Sequence, residues 1–452
     1  MKDSNFLKEN NARHMWHPMA HPAEMQATTP YIITGAEGVK IRDIDGREVV
    51  DAVGGLWCVN LGYSNTAIKK AITDQLDRLP YYSAFSGTTT DPAIELSYEL
   101  REFFAEDGMA RAFFTSGGSD SVETCLRLSR QYHKIRGDHG RTKFLSLKKG
   151  YHGTHFGGAS VNGNNRFRTM YEPMMPGCFQ IAAPYAYRNP FNESDPAKLS
   201  DLVIASLADE IEFQGANTIA AFIMEPILGS GGVIVPHESF MPKVRELCDR
   251  YGILLIADEV ITGFGRAGSW SGVRHWGVQP DMMATAKGIT SGYIPFGAAM
   301  IGDKVAEVFE RDETGTASIG HGYTYSAHPV GAAAAIACLA ETKRIDPRAN
   351  AAERGAQMYA GMLKLQKKHE LIGDVRGGHG LMTAMELVSD RATKKPHMSA
   401  GKVVMKEAYE NGAMIRVSGA NILISPPLVI GEAEVDTILS ALDAGLTKAA
   451  SA

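Results

Sequence analysis

The hydrophobic pattern of the chain predicts a hairpin followed by a long region of alternating strands and helices. Apolar and polar residues alternate over 39–51 around Asp45-Gly46, which is typical of a β-hairpin. From about 111 to 301, short apolar runs alternate with helical periods. The strands are predicted at 112–115, 143–147, 219–224 and 253–257, and the helices at 122–136, 199–212 and 242–251. Near-continuous apolar strands alternating with helices predict an α/β fold with a mostly parallel central sheet covered by helices.

The pattern changes after about Tyr325, where an alanine-rich helix is predicted at 329–344. The remaining elements are predicted as helices at 65–79, 92–104, 352–369, 402–411 and 432–449, and as strands at 381–387 and 421–425. We therefore expect an N-terminal arm with part of a small domain at 1–60, a large domain at 61–328, and a smaller α+β domain at 329–452.

Composition excludes several classes of protein. The chain has 452 residues and a net charge of -5, which gives no reason to expect a nucleic acid or a membrane as a partner. Its five cysteines are scattered without metal-site spacing, so we expect free thiols, a reducing compartment and no metal. The polar N-terminus does not resemble a signal peptide, and no apolar segment reaches the roughly 18 residues of a membrane span. These features predict a cytoplasmic protein.

Two residues suggest a specific chemistry. Asp258 ends the apolar run 254–257, and Lys287 follows the small and apolar residues 282–286. Burial lowers the pKa of a lysine and makes its amine a nucleophile. Pyridoxal phosphate (PLP) uses such a pair, because an aspartate keeps its ring nitrogen protonated and a lysine forms a Schiff base with it. The alternatives are an aspartate that caps a helix and a lysine on the surface.

Further candidate groups lie next to predicted strand ends. The glycine- and hydroxyl-rich segment 115–123 follows a strand and opens a helix, so it favours phosphate binding, although an ordinary N-capped turn has the same appearance. It lacks the lysine of a Walker motif and the spacing of a dinucleotide site. Tyr151 can stack on a cofactor ring or cover the core as a loop aromatic, and Glu225 places a second acid at a strand end.

Taken in order, these motifs resemble the class III, PLP-dependent aminotransferases of fold type I. The resemblance runs from about Trp16 to Leu446 and is carried by the segments 116–120, 151–153, 225–227, 258–266, 287–288 and 323–325. Within that class the segments 56–63, 415–417 and 425–428 resemble the ω-transaminases, the amine:pyruvate group. The resemblance implies PLP as cofactor and makes 61–328 the PLP-binding domain.

The resemblance also implies a role for individual residues. It implies catalytic roles for Lys287, Asp258 and Tyr151. It implies that the cofactor is bound by these three together with Gly117, Gly118, Ser119, His152, Glu225, Val260, Tyr323 and Thr324. Tyr323 and Thr324 would come from the neighbouring subunit of a homodimer with shared active sites, with a tetramer as an alternative.

The substrate pocket is expected from the same resemblance. Its lining residues would be Met19, Trp57, Phe85, Tyr151, Leu228 and Ser230. Arg416 would clamp a substrate carboxylate and swing out for an apolar amine, whereas a surface charge is the alternative interpretation. Met19 stands where an aromatic residue is frequent in amine transaminases, and 117–120 reads Gly-Gly-Ser-Asp where many relatives have a glutamate as the acid.

The expected activity is the transfer of an amino group from a primary amine or ω-amino acid to pyruvate or a related α-keto acid, by a ping-pong mechanism. β-Alanine, an aryl-alkylamine and a taurine-like compound are candidate donors. The alternatives are a decarboxylating dialkylglycine enzyme, a glutamate-semialdehyde aminomutase, and a transaminase-like binding module. A binding module would be expected to have lost the lysine or the aspartate, whereas both Lys287 and Asp258 are present.

Overall fold

A computed structural model describes residues 3–451 of the chain. Its helices are α1 (Ser4–His14), α2 (Pro22–Ala27), α3 (Gly54–Trp57, one distorted turn), α4 (Thr66–Arg78), α5 (Asp91–Phe103), α6 (Gly118–Ile135), α7 (Phe156–Val161), α8 (Pro196–Gln214), α9 (Phe240–Tyr251), α10 (Asp303–Glu310), α11 (Pro329–Ile345), α12 (Arg348–Lys368), α13 (Ala400–Glu410) and α14 (Glu432–Ala450). Its strands are β1 (Ile33–Glu37), β2 (Lys40–Asp43), β3 (Glu48–Asp51), β4 (Met109–Thr115), β5 (Lys143–Leu147), β6 (Cys178–Ile181), β7 (Ile219–Met224), β8 (Leu254–Asp258), β9 (Met282–Thr285), β10 (Gly297–Gly302), β11 (Ile372–Arg376), β12 (Thr383–Asp390), β13 (Lys395–Pro396), β14 (Ala413–Met414), β15 (Arg416–Ser418) and β16 (Asn421–Ile424).

The central sheet has seven strands in the order β4-β10-β9-β8-β7-β5-β6. The five strands from β9 to β6 are parallel to their neighbours, and β10 is antiparallel to both β9 and β4. The predicted mostly parallel sheet is therefore confirmed, with β10, the second strand from one edge, as the exception. The glycine and alanine residues of β10 do not predict a strand as clearly as the branched residues of β8 do.

Alternate side chains of the central strands enter two separate cores. On β8, Leu255 and Ala257 pack into the core formed with α5, α8, α9 and α11, whereas Leu254 and Ile256 pack into the core formed with α6. This alternation follows from the period-two geometry of a strand, and it explains why β8 is apolar at successive positions. The sheet is thus covered on both faces by helices.

A second set of elements forms around an antiparallel sheet. Strands β11, β12, β16 and β15 are neighbours in that order, and β13 pairs with β12. Their apolar side chains pack with α12, α13 and α14, and with Val50 and Ala52 from near the N-terminus. A four-stranded sheet joins β1, β2 and β3 to β14 in the same region. Part of the N-terminal segment therefore packs with the C-terminal elements.

Most predicted elements are confirmed with small shifts at their ends. The hairpin β2–β3 turns at Asp45-Gly46, where Gly46 has a positive φ of 84°. Helix α4 begins after Asn65, whose side chain accepts a hydrogen bond from the backbone N–H of Ile68. The expected alanine-rich helix is α11, and its Ala332, Ala335 and Leu339 pack into the core of the central sheet. The boundaries proposed for the domains stay a prediction.

The N-terminal arm contains two helices, α1 and α2, and exposes several large apolar side chains. Trp16 is 82% exposed and Met15 is 53% exposed. Lys8 of α1 lies 2.6 Å from Asp45, so the arm is tied to its own chain at the β2–β3 turn. Within residues 3–451, no helix is both long enough and apolar enough to cross a membrane.

Candidate active site

Three of the predicted residues lie at one edge of the central sheet. Asp258 is the last residue of β8, Glu225 directly follows β7, and Lys287 follows β9 after one intervening residue. Because β7, β8 and β9 are adjacent and parallel, their carboxyl ends meet at the same edge, where ligands of such sheets bind. Asp258 and Glu225 are each only 3% exposed.

Asp258 is held by hydrogen bonds on both carboxylate oxygens. Nδ1 of His152 lies 2.8 Å from Oδ2 of Asp258, and the backbone N–H of Val260 donates to Oδ1 at 3.2 Å. Because an ionised carboxylate only accepts hydrogen bonds, Nδ1 of His152 carries the proton in this pair. His152 is itself fixed, since its backbone N–H donates to Oδ1 of Asn162 at 2.5 Å. The carboxylate is therefore oriented before any ligand binds.

Glu225 organises the backbone around the site. Its two carboxylate oxygens accept hydrogen bonds from the backbone N–H groups of Tyr151 and Gly229, both at 2.9 Å. Burial raises the pKa of Glu225 to about 7, and the charge of Asp258 adds to this rise. Glu225 has no hydrogen bond to Asp258 among residues 3–451, so any support that it gives to Asp258 passes through the segment that contains Tyr151 and His152.

Lys287 opens a short 3-10 turn, Lys287–Thr290, and has a positive φ of 44°. Burial lowers the pKa of its amine, while the charges of Asp258 and Glu225 oppose this effect. Its Nζ forms no hydrogen bond or ion pair within the part of the chain that the structure describes. The site therefore contains a half-buried amine without a bound partner, beside two carboxylates. Such an amine is suited to attack a carbonyl carbon and to carry protons.

The N-terminus of α6 contacts the end of β9, two residues before Lys287. The hydroxyl of Ser121 donates to the carbonyl oxygen of Thr285 at 3.0 Å, which joins the first turn of α6 to the end of β9. Gly117 precedes the helix and supplies no side-chain cap, and a Cβ placed on it would meet no atom within 4 Å. The backbone N–H groups of residues 118–120 form no hydrogen bond within the described residues, which is the arrangement of an anion site.

Two glycines permit close packing around this turn. A Cβ on Gly118 would lie 2.9 Å from Cγ1 of Val260, and a Cβ on Gly153 would lie 2.6 Å from Oγ of Ser119. Oγ of Ser119 also accepts a hydrogen bond from the backbone N–H of Thr154 at 3.2 Å. The predicted phosphate turn, Val260 and the 151–154 segment are thus in direct contact.

An unpaired cation lies near Tyr151. The guanidinium of Arg416, on β15, is half-buried and forms no hydrogen bond or ion pair within residues 3–451. Burial lowers the pKa of Arg416, and the charge of Arg416 opposes the burial that raises the pKa of Tyr151. The ring of Tyr151 contacts that of Phe167, with 4.9 Å between the centroids. A half-buried guanidinium without a counter-ion can bind a carboxylate.

The other pocket residues occupy different environments. Trp57 is 3% exposed with a positive φ of 64°, and Leu228 is fully buried and pairs with Ile234 through two backbone hydrogen bonds. Ser230 is half-buried in the turn that follows. Met19 is 52% exposed, and its carbonyl oxygen accepts a hydrogen bond from Arg166 at 3.3 Å.

Phe85, Tyr323 and Thr324 form a separate group. Phe85 is 52% exposed and packs against Gly322, where a Cβ would lie 3.0 Å from the ring. The carbonyl oxygen of Thr324 accepts a hydrogen bond from the hydroxyl of Tyr81, and the hydroxyl of Tyr323 donates to the carbonyl oxygen of Asp120 at 3.0 Å. Among the described residues, no ring contact joins Phe85 to Trp57 or Tyr151. The structure therefore groups Phe85 with the 320–324 loop of its own chain.

The residues present fit PLP. Asp258 offers a fixed carboxylate for a ring nitrogen, Lys287 a free amine for an aldehyde, and the first turn of α6 an open anion site for a phosphate. Because these three groups occupy different positions at the sheet edge, PLP can match all of them in only one orientation.

Comparison with known proteins agrees with this geometry. The family model described as Aminotransferase class-III matches residues 22–446. The putrescine–pyruvate aminotransferase of Pseudomonas aeruginosa is 38% identical, over 90% of this chain and 89% of that protein. An amine transaminase from an uncultivated Pseudomonas species, solved in its PLP-bound form, is 44% identical with a TM-score of 0.94, over 96% of this chain and 98% of that one. The (S)-enantioselective ω-transaminase of Thermomicrobium roseum is 34% identical with a TM-score of 0.95, over 99% of both chains.

The chain belongs to the class-III aminotransferases. It is therefore a PLP-dependent aminotransferase of fold type I, as the sequence motifs predict.

Asn162 and His155 could not be recognised from the sequence as part of the site. Asn162 holds His152 by accepting from its backbone N–H and by donating to the carbonyl oxygen of Gly153 at 2.9 Å. Asp120 lies 2.5 Å from Nε2 of His155 and accepts from the backbone N–H of Ser116. The only sequence signal for these residues is their position within glycine-rich segments beside strand ends.

Proposed function

We propose that this aminotransferase is an ω-transaminase, which moves an amino group from a primary amine or ω-amino acid to pyruvate or a related α-keto acid. The observation that carries the proposal is the unpaired, half-buried guanidinium of Arg416 near Tyr151. A carboxylate-bearing keto acid is the natural partner of this cation, because a guanidinium binds a carboxylate through two parallel hydrogen bonds. The names of the similar proteins from Pseudomonas aeruginosa and the uncultivated Pseudomonas species support the same substrate classes.

Each residue at the sheet edge has a distinct part in this reaction. When bound, PLP supplies an electron sink for the carbon that loses its proton. Asp258 keeps the ring nitrogen protonated, and His152 orients Asp258. Lys287 would hold the cofactor until the donor amine displaces it, and its freed amine would then remove the proton from the donor carbon and return it as a general acid. Gly117, Gly118 and Ser119 would bind the phosphate, and Val260 and Tyr151 would hold the ring.

One pocket binds the amine and the keto acid in turn. Trp57, Met19, Leu228 and Ser230 line it with Tyr151. Arg416 binds the carboxylate of pyruvate, and it moves away when an apolar amine enters, because an unneutralised guanidinium against an apolar group costs free energy. Donor and acceptor therefore alternate at one site, which is the basis of ping-pong kinetics.

The active enzyme is proposed to be a homodimer in which Phe85, Tyr323 and Thr324 complete the pocket of the other subunit. Phe85 and Thr324 are exposed in one chain and lie together at the 320–324 loop. Activity is therefore expected to disappear at dilutions where sedimentation detects only monomer. Full activity of such a monomer would contradict the shared site.

Visible absorption of the purified enzyme tests the proposed reaction directly. The band of bound PLP is expected to bleach when 1-phenylethylamine or β-alanine is added, and to return when pyruvate is added afterwards. The Lys287→Ala variant, which lacks the amine, is expected to show no such cycle. A band that no amine bleaches would contradict an ω-transaminase, and product formation without any keto acid would indicate an aminomutase instead. Release of carbon dioxide from the donor would indicate a decarboxylase.

A further inference from the structure

A single buried arginine connects the two halves of the proposed substrate pocket. Arg376 ends β11, and it is 9% exposed. Its Nε donates to the carbonyl oxygen of Gly232 at 2.5 Å, and its Nη2 donates to Oδ1 of Asn421. Its Nη1 donates to Oδ2 of Asp374 at 2.6 Å and to the hydroxyl of Tyr185. Arg376 thus uses its guanidinium in four hydrogen bonds within the protein, with Asp374 at 2.6 Å and Glu386 at 3.7 Å as counter-ions.

One end of this connection is the turn that carries the floor of the pocket. The backbone N–H of Gly232 donates to the carbonyl oxygen of Gly229, and the N–H of Gly229 donates to Glu225. Ser230 lies inside this turn and Leu228 precedes it. Gly232 has a φ of +116°, and a Cβ on it would lie 3.0 Å from Nη2 of Arg376. The absence of a side chain at Gly232 therefore lets the guanidinium of Arg376 approach the turn closely.

The other end is the hairpin that carries Arg416. Asn421 is the first residue of β16, and it is paired with Ser418 of β15. Arg416 is the first residue of β15 and is paired with Leu423 of β16. Asn421 and Arg416 therefore belong to one hairpin, whose strand β16 is also paired with β12. In this way Arg376 links the hairpin to the Gly229–Gly232 turn.

We infer that Arg376 is a positioning residue that sets the placement of Arg416 against the pocket floor, and so sets the selectivity of the enzyme for carboxylate-bearing substrates. The inference rests on the role of Arg416 in the proposed function. Arginine is required because its planar, rigid group reaches acceptors in two different segments at once. Lysine has a single charged atom and cannot hold Gly232 and Asn421 in one fixed geometry.

The test compares four forms of the PLP-bound enzyme: the wild type, Arg376→Lys, Arg416→Ala and the double variant. The apparent KM is measured for pyruvate and for 1-phenylethylamine. Arg376→Lys is expected to raise the KM for pyruvate roughly tenfold, because misplacing a binding group by about an ångström has effects of this order or more. The KM for the amine should change by less than about threefold, because that donor has no carboxylate to reach Arg416. When Arg416 is already replaced by alanine, Arg376→Lys should raise the KM for pyruvate little further.

Arg188→Lys is the matched control. Arg188 belongs to the same network, since its Nε donates to Glu386 at 2.6 Å and Glu386 also accepts from the hydroxyl of Tyr185, but within the described residues it has no hydrogen bond to Gly232 or Asn421. It is expected to leave the ratio of the two KM values near that of the wild type, even if the melting temperature falls. If Arg376→Lys does not fold, Asn421→Ala removes only the acceptor on the hairpin side and should raise the pyruvate KM in the same selective way.

The possible outcomes separate this inference from the proposed function. Equal increases in both KM values, a full additional effect in the Arg416→Ala background, or the same selectivity change in Arg188→Lys would each overturn the positioning role alone. An Arg416→Ala enzyme with an unchanged KM for pyruvate would overturn the role proposed for Arg416, and this inference with it. The positioning role of Arg376 is supported if Arg376→Lys raises the KM for pyruvate but not that for the amine, and does so only when Arg416 is present.

Discussion

His152 and Asp258 form a buried hydrogen-bonded pair, with 2.8 Å between Nδ1 and Oδ2. His152 is 1% exposed and Asp258 3% exposed, so the pair is shielded from water. The second ring nitrogen of His152, Nε2, has no hydrogen-bond partner within the described residues. The imidazole therefore acts on the carboxylate alone, and it is held in place by its backbone bond to Asn162. One of the two hydrogen bonds that orient Asp258 therefore comes from a residue more than a hundred positions away in sequence.

The first prediction concerns this pair. His152→Gln is expected to weaken PLP binding about tenfold, because loss of one hydrogen bond to a buried carboxylate costs about 1.5 kcal/mol. The amide nitrogen of glutamine lies one bond further from Cα than Nδ1 of histidine and rotates more freely, so Asp258 loses its fixed direction. Titration of the PLP-free variant with PLP, followed by visible absorption, measures the change in Kd.

His133→Gln is the matched control for this substitution. His133 is also a buried histidine with one hydrogen bond, from Nε2 to the carbonyl oxygen of Ala220 at 2.9 Å, but it has no contact with Asp258. We expect its Kd for PLP to match the wild type. If both variants bind PLP equally well, or lose affinity equally, His152 does not act through Asp258.

The second prediction uses the two adjacent glycines before and in the first turn of α6. Gly118→Ala places a methyl group 2.9 Å from Cγ1 of Val260, which has to move. Overpacking of this kind costs about 1–3 kcal/mol, and the PLP-free protein should show it as a lower melting temperature. Gly117→Ala meets no atom within 4 Å, and its φ of 170° is extended backbone that alanine adopts freely.

Gly117→Ala should therefore preserve the melting temperature of the PLP-free protein. Its effect should appear only as a lower affinity for PLP. A methyl group at this position enters the space that we assign to the phosphate. Unchanged affinity for both PLP and inorganic phosphate in Gly117→Ala would show that the phosphate binds elsewhere.

The sequence predicted the parts of the site that depend on local pattern. Asp258 was recognisable because an unbroken apolar strand ends in an acid, and Lys287 because small and apolar residues surround it. Both lie at the edge of the central sheet, as the carboxyl ends of parallel strands require. The central strands were equally recognisable, since burial on both faces leaves nearly continuous apolar runs.

The parts that depend on long-range contacts were not predictable. Phe85 was expected to line a pocket with Trp57 and Tyr151, yet within one chain it packs on Gly322. Nothing in a linear pattern tells which subunit a loop side chain serves, so its place in the pocket stays a prediction. Arg376 gave no signal either, because its function depends on acceptors in two segments, at Gly232 and Asn421, that only the folded chain brings together.

The third prediction concerns the carboxylate. Arg416→Ala is expected to lower kcat/KM for pyruvate and alanine by about a hundredfold, because truncating one partner of a desolvated charge pair costs about 2–5 kcal/mol. Activity with 1-phenylethylamine in the first half-reaction should fall much less. Stopped-flow absorption of each half-reaction measures the two effects separately. Equal losses for the two kinds of substrate would remove Arg416 from carboxylate binding.

The last prediction concerns Glu259, which is fully buried next to Asp258 in the sequence. Its carboxylate accepts hydrogen bonds from the hydroxyl of Thr262 and from the backbone N–H groups of Gly272 and Val273. Burial outweighs these bonds and raises its pKa from 4.5 to about 7. Between these two pH values the folded protein retains a proton that the unfolded chain has lost, so folding is coupled to proton uptake.

It follows that the contribution of Glu259 to the free energy of unfolding is largest below about pH 4.5 and is lost as the pH rises through about 7. A shift of this size corresponds to a loss on the order of 3 kcal/mol across the window. Urea unfolding of the wild type and of Glu259→Gln at pH 5, 6, 7 and 8 measures it, because glutamine does not titrate. The substitution has a constant cost at every pH, since its NH₂ group faces a backbone N–H, so the difference in slope is the informative quantity. Parallel pH profiles for the two proteins would show that Glu259 is already ionised at pH 5.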